Sequence, residues 1–201
     1  MAEEPIIELN PEDFEDLYFE TSLSKNLDRF LAYARNQKPG LAPFLPICGL
    51  TGSGKTSIIK SWLKHHHLKN LYIEGYRTAK VVEVEYYPRL SSGPSVQFVS
   101  GDMLNDLLTP KTKKVPVLFS EEEIDAVGEQ TVIVIDDYDR FGDEERQALF
   151  DLIAYRRVVD LRSKNPDKTV ILNPLMMIVV LDAGNYAILN NDEKRLFGIT
   201  E

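Results

Sequence analysis

Residues 49–56 read Gly49-Leu50-Thr51-Gly52-Ser53-Gly54-Lys55-Thr56, a complete G-x-x-x-x-G-K-T pattern. The apolar run Phe44-Leu45-Pro46-Ile47-Cys48 precedes it, and Ser57-Ile58-Ile59-Lys60-Ser61-Trp62-Leu63 follows with helical patterning. Glycines at these positions permit a tight loop whose backbone N–H groups point inward at phosphate oxygens. The lysine reaches the β- and γ-phosphates, and the closing hydroxyl binds Mg²⁺. The following helix presents its positive end to the same anion. The reading is therefore a nucleotide-binding loop made of Gly49, Leu50, Thr51, Gly52, Ser53, Gly54, Lys55, Thr56 and Ser57, with Lys55 also catalytic. A ligand-free surface loop is the alternative, and the strand–loop–helix order disfavours it.

A phosphate loop calls for an acid on a later strand. Val132-Ile133-Val134-Ile135-Asp136-Asp137 supplies one: four apolar residues, as in a central buried strand, ending in two carboxylates. Ligands of open α/β sheets bind at the C-terminal ends of the strands. Asp136 is expected to hold Mg²⁺ with Thr56, and Asp137 to orient the attacking water. The run Leu175-Met-Met-Ile-Val-Val-Leu181 predicts a second central strand. Asn185 follows it after Asp182-Ala183-Gly184 and is placed to hydrogen-bond the water or the γ-phosphate; a turn-forming Asn is the equal alternative.

The chain has 201 residues, 23 Lys+Arg against 32 Asp+Glu, and a formal charge of −9. That balance disfavours broad nucleic-acid or anionic-membrane binding, though nucleic acid remains possible through a local patch. The single Cys48 allows no internal disulfide. With an acidic N-terminus unlike a signal peptide, this favours a reducing, cytoplasmic setting. The seven-residue run 175–181 is too short to span a bilayer.

Coarse patterning predicts a capped helix start at Asn10-Pro11-Glu12-Asp13 and a helix over about 24–37 with Leu27, Phe30, Leu31 and Ala34 on one face. Residues 71–101 read as β-rich, with a strand over 81–87, a turn at Ser91-Ser92-Gly93-Pro94 and a return strand over 96–99. Helices follow near 102–108, 121–127 and 143–155, with Leu149, Leu152 and Ile153 as the last one's buried stripe. Short β runs at 158–162 and 169–172 flank the turn 163–168, and a final helix starts near Tyr186. Strands alternating with helices predict an α/β fold, a parallel sheet covered on both faces. His65-His66-His67 reads as a solvated helix end, because consecutive helical residues diverge by about 100° and cannot converge on one metal. Tyr72, Tyr76, Tyr86 and Tyr87 read as strand packing.

From Asp136 onward the chain resembles the MoxR-type, dynein-related branch of the AAA+ ATPases. The residues that carry the likeness are Asp136-Asp137-Tyr138-Asp139-Arg140, Arg146-Gln147-Ala148-Leu149-Phe150 and Arg156-Arg157-Val158. The β runs at 158–172 match that branch's inserted hairpin, and Asn185 falls at its sensor Asn. Upstream, Asp13-Phe14-Glu15-Asp16-Leu17 resembles its linker motif. The resemblance implies a three-layer P-loop NTPase core with a central parallel sheet and an inserted β-hairpin at 41–201, preceded by a helical linker at 1–40. It implies ATP and Mg²⁺ as cofactors, a homo-oligomeric hexamer-like ring or arc, and remodelling of a protein client. Arg195, in Lys194-Arg195-Leu196-Phe197, resembles an arginine that enters the neighbouring subunit's site, with Arg140 and Arg156 as further interface candidates. The sequence departs from the branch in Leu50-Thr51, in Asp137 where a Glu is usual, and in the expected absence of a C-terminal lid. A nucleic-acid motor and an ATP-binding clamp with little turnover are the competing readings.

Overall fold

The computed structural model describes residues 20–38, 40–86, 105, 109–160, 162 and 169–199. The helix start at Asn10, the motif at 13–17, the turn at 91–94, the return strand at 96–99, nearly all of the helix near 102–108 and the turn at 163–168 lie outside them. The chain divides into two units. One comprises 1–75, 127–140 and 173–201, the other 76–126 and 141–172.

The first unit carries the parallel sheet. Its strands are β1 (Phe44–Gly49), β2 (Lys69–Glu74), β5 (Thr131–Asp136) and β8 (Met176–Asp182), in the order β1-β8-β5-β2. β5 and β8 are central and almost wholly apolar, and every residue of β5 is buried. Pro46 cannot donate to a ladder, and it lies in β1, at one end of this order, where strand prolines are tolerated. The registers align the strand ends: Gly49 lies opposite Asp182, and Glu74 opposite Asp136. All four C-terminal ends therefore reach one edge.

Two helices cover one face. α1 (Ser22–Arg35) starts at Thr21, whose hydroxyl accepts from the Ser24 N–H while Ser24 Oγ accepts from the Thr21 N–H. This capping box fixes the helix entry. α2 (Lys55–His65) follows the 49–56 loop. Leu27, Leu31 and Ala34 from α1 and Ile59, Trp62 and Leu63 from α2 pack against Val132, Val134, Met176, Ile178 and Val180. Ile133, Ile135, Met177, Val179 and Leu181 are also fully buried, so both sheet faces are covered, as parallel sheets require. His66 is more enclosed than a solvated helix end. Its Nε2 lies 2.8 Å from Asp28 Oδ1, which also accepts from Trp62 Nε1 at 2.8 Å.

The second unit contains two antiparallel pairs: β3 (Lys80–Tyr86) with β4 (Lys111–Val117), and β6 (Arg157–Val159) with β7 (Thr169–Ile171). It also contains α3 (Glu121–Ala126) and α4 (Asp143–Tyr155), whose buried stripe is Leu149, Leu152 and Ile153. β4 has no counterpart in the sequence reading. Its Lys-Thr-Lys-Lys start and Pro116 hide strand character, and pairing with β3 overrides local propensity. β6 and β7 match the expected hairpin with narrower bounds. In the first unit, the last helix begins later than expected. Tyr186–Ile188 forms one 3-10 turn, and α5 (Asn191–Leu196) starts where Asn190 Oδ1 accepts the N–H groups of Asp192 and Glu193 at 2.9 Å.

Trp62 is fully buried between α1 and the sheet. Trp62→Ala should therefore lower the unfolding free energy by about 3–5 kcal/mol, measured by urea titration. A loss below about 1 kcal/mol would show that this contact does not anchor the helical layer.

Candidate nucleotide site

The 49–56 loop leaves β1, crosses the sheet edge and enters α2 through Gly54, at φ +81°. That left-handed conformation suits glycine, and it turns the chain sharply enough to aim the first turn of α2 at the loop's concavity. No side chain caps this helix start. Lys55 folds back over the loop, Nζ donating to the Gly49 carbonyl at 2.7 Å and the Leu50 carbonyl at 2.9 Å. Two of its three donors thus brace the backbone it is expected to share with phosphate.

The loop is tied to two strand ends. Thr56 Oγ1 donates to Asp136 Oδ2 at 2.8 Å, across 80 residues of sequence. Thr51 Oγ1 donates to Asp182 Oδ2, and the Ala183 N–H donates to the Gly49 carbonyl at 3.1 Å. Asp136 is 4% exposed. A buried carboxylate needs hydrogen-bond partners, and it has two more: Tyr72 donates to Oδ2 at 2.5 Å and the Asp137 N–H to Oδ1 at 3.1 Å. Burial first, then the bond to Asp136, push the Tyr72 phenol far above its ordinary range, so it remains a donor. The aromatic packing expected of Tyr72 is present, but its hydroxyl also belongs to this site.

Asp137 leaves β5 with φ +52°, a conformation that costs a non-glycine residue energy. Its Oδ2 lies 3.4 Å from Arg140 Nε, and its side chain is 30% exposed. Burial, and then the neighbouring Asp136, raise its pKa against the pull of Arg140. Gly75 is required beside it: a Cβ there would lie 2.6 Å from the Asp137 carbonyl oxygen.

Asn185 is exposed, and its Nδ2 donates to Asp139 Oδ2 at 2.6 Å. Asp139, 6% exposed, also accepts the Asp182 N–H at 2.9 Å. It clasps the exit of β5 to the exit of β8. Sequence reasoning missed Asp139, Gly75 and the Tyr72 hydroxyl; the one available signal was a third acid in Asp136-Asp137-Tyr138-Asp139. Arg195 stands apart from this network on α5, 83% exposed and 3.9 Å from Asp192.

The donor set fits a magnesium-bound nucleotide. An uncapped helix start, a lysine over the loop and a buried carboxylate bonded to the loop threonine are the groups such a ligand uses. Among the described residues no cluster of three or more His, Cys, Asp or Glu could hold a metal by itself.

No family model matches the chain, and no curated protein matches it. Solved structures do. A point mutant of Thermotoga maritima RuvB matches with TM-score 0.50 at 14% identity, over 92% of this chain and 48% of that one. A second point mutant gives TM-score 0.49 at 15% identity, over 95% and 48%. The structure described as the RuvB Holliday junction branch migration motor gives TM-score 0.44 at 14% identity, over 92% and 47%. This chain spans about half the length of those structures. The likeness at TM-score 0.50 shows the fold alone: a three-layer P-loop NTPase core with a central parallel sheet and an inserted β-hairpin. No described helix is long and apolar enough to cross a membrane.

The raised pKa of Asp137 has a consequence for stability. Its folded value lies above the unfolded reference of 3.8, so the folded chain binds this proton more tightly and stability falls as pH rises through the folded value. Asp137→Asn removes that decline. Urea titrations from about pH 4 to about pH 7 should show wild type losing stability relative to the variant as pH rises. Parallel profiles would contradict the assignment.

Proposed function

We propose that the protein is a Mg²⁺-dependent ATPase of AAA+ type. The observation that carries this reading is the bond from Thr56 to Asp136, which joins the phosphate loop to the strand end that bears the second motif. Lys55 and the backbone N–H groups of residues 49–57 bind the phosphates. Thr56 and Asp136 hold magnesium, which when bound spreads the charge of the phosphoryl oxygens. Asp137 orients the attacking water, and Asn185, steadied by Asp139, contacts that water or the γ-phosphate. No guanine-specifying Asn-Lys-x-Asp occurs, which favours ATP over GTP.

The finer reading follows the MoxR-type resemblance. Copies assemble into a ring or arc, Arg195 of one reaches the neighbour's site, and the assembly remodels a protein client in the cytoplasm. The exposure of Arg195 is compatible with a contact made in trans, and the net charge of −9 disfavours nucleic acid as the client. A second reading, an ATP-binding clamp with little turnover, is favoured by Asp137: its arm is about 1.5 Å shorter than a glutamate's, and it pairs with Arg140.

A phosphate-release assay with ATP and Mg²⁺ tests both. Asp136→Asn should lower the rate by about a hundredfold or more. Asp137→Glu should raise it if the short arm restrains turnover, and leave it unchanged if the remaining machinery is absent. A wild-type chain that binds ATP without hydrolysing it would leave only the clamp.

A further inference from the structure

The orientation of Asp136 is fixed from three directions, and one of them has no counterpart in the phosphate-loop pattern. A carboxylate offers about four acceptor positions. The Thr56 and Tyr72 hydroxyls take both positions on Oδ2, and the Asp137 N–H takes one on Oδ1. One position remains, on Oδ1.

The phenol that closes Oδ2 is itself held. The Tyr72 ring packs against the helix–sheet core, and Lys60 Nζ lies 4.9 Å from its centroid. Lys60 also lies 3.0 Å from Glu74, on the same strand as Tyr72. The core packing of the ring holds the hydroxyl toward Asp136.

We propose that Tyr72 is a positioning residue for the metal. By occupying Oδ2 beside Thr56 it stops the carboxylate from rotating and leaves a single Oδ1 position as acceptor for the hydrated magnesium ion. The assignment rests on the nucleotide-site reading above. Hydrogen bonds to a metal-binding group orient it, and losing one typically costs about 10–100-fold in metal affinity.

The test uses a slowly hydrolysed fluorescent ATP analogue, bound to wild type and Tyr72→Phe in EDTA and across a Mg²⁺ titration. Phenylalanine keeps the ring under Lys60 and its core contacts, so only the hydroxyl is lost. The metal-free affinity should stay within about twofold, while the half-saturating Mg²⁺ concentration rises about tenfold. A purely structural role would weaken both in proportion, and that result, or an unchanged Mg²⁺ requirement, would overturn the assignment of Tyr72 alone. A wild type showing no magnesium-dependent binding would overturn the site reading and this assignment with it.

Discussion

A buried carboxylate at the C-terminal end of β5 organises this molecule. Asp136 is 4% exposed, and burying such a group is costly unless it is hydrogen-bonded. Its bonds draw in the start of α2 through Thr56, the edge strand β2 through Tyr72, and the turn after β5 through the Asp137 amide. One charge thus fixes three chain segments far apart in sequence. The cost of burying it is offset by hydrogen bonds that also assemble a site.

The parallel sheet makes this convergence possible. With β1, β8, β5 and β2 in register, Gly49, Asp182, Asp136 and Glu74 emerge along one edge. Apolar side chains on both faces hold the strands there, and the candidate site residues lie at and just beyond the strand ends. Asp139 extends the arrangement laterally. Through the Asp182 amide and Asn185 it joins the turn after β5 to the turn after β8. At Asp137, with φ +52°, Gly75 leaves room for the carbonyl, and Arg140 Nε lies 3.4 Å from the carboxylate.

Much of this was legible in the sequence where the signal is local. The loop at 49–56 announces itself by its glycines, lysine and threonine, and β5 and β8 by unbroken apolar runs that only central parallel strands need. The stripe of α4 and the hairpin at 157–171 were readable for the same reason. What escaped depends on distant partners. β4 looks like a lysine-rich loop until β3 pairs with it. The Tyr72 hydroxyl acquires its partner 64 residues away, and Asp139 acquires Asn185 at 46. Gly75 is an unremarkable turn glycine until the Asp137 carbonyl arrives beside it. No periodicity encodes such meetings; only the folded register creates them.

The decisive observation is a crystal structure grown with magnesium and a slowly hydrolysed ATP analogue. The expected result is density for a triphosphate against the backbone of 49–56, with Lys55 turned from the Gly49 carbonyl toward it and the ion between Thr56 and Asp136. Nucleotide bound anywhere else, or an ion that leaves Asp136 without a role, would contradict it.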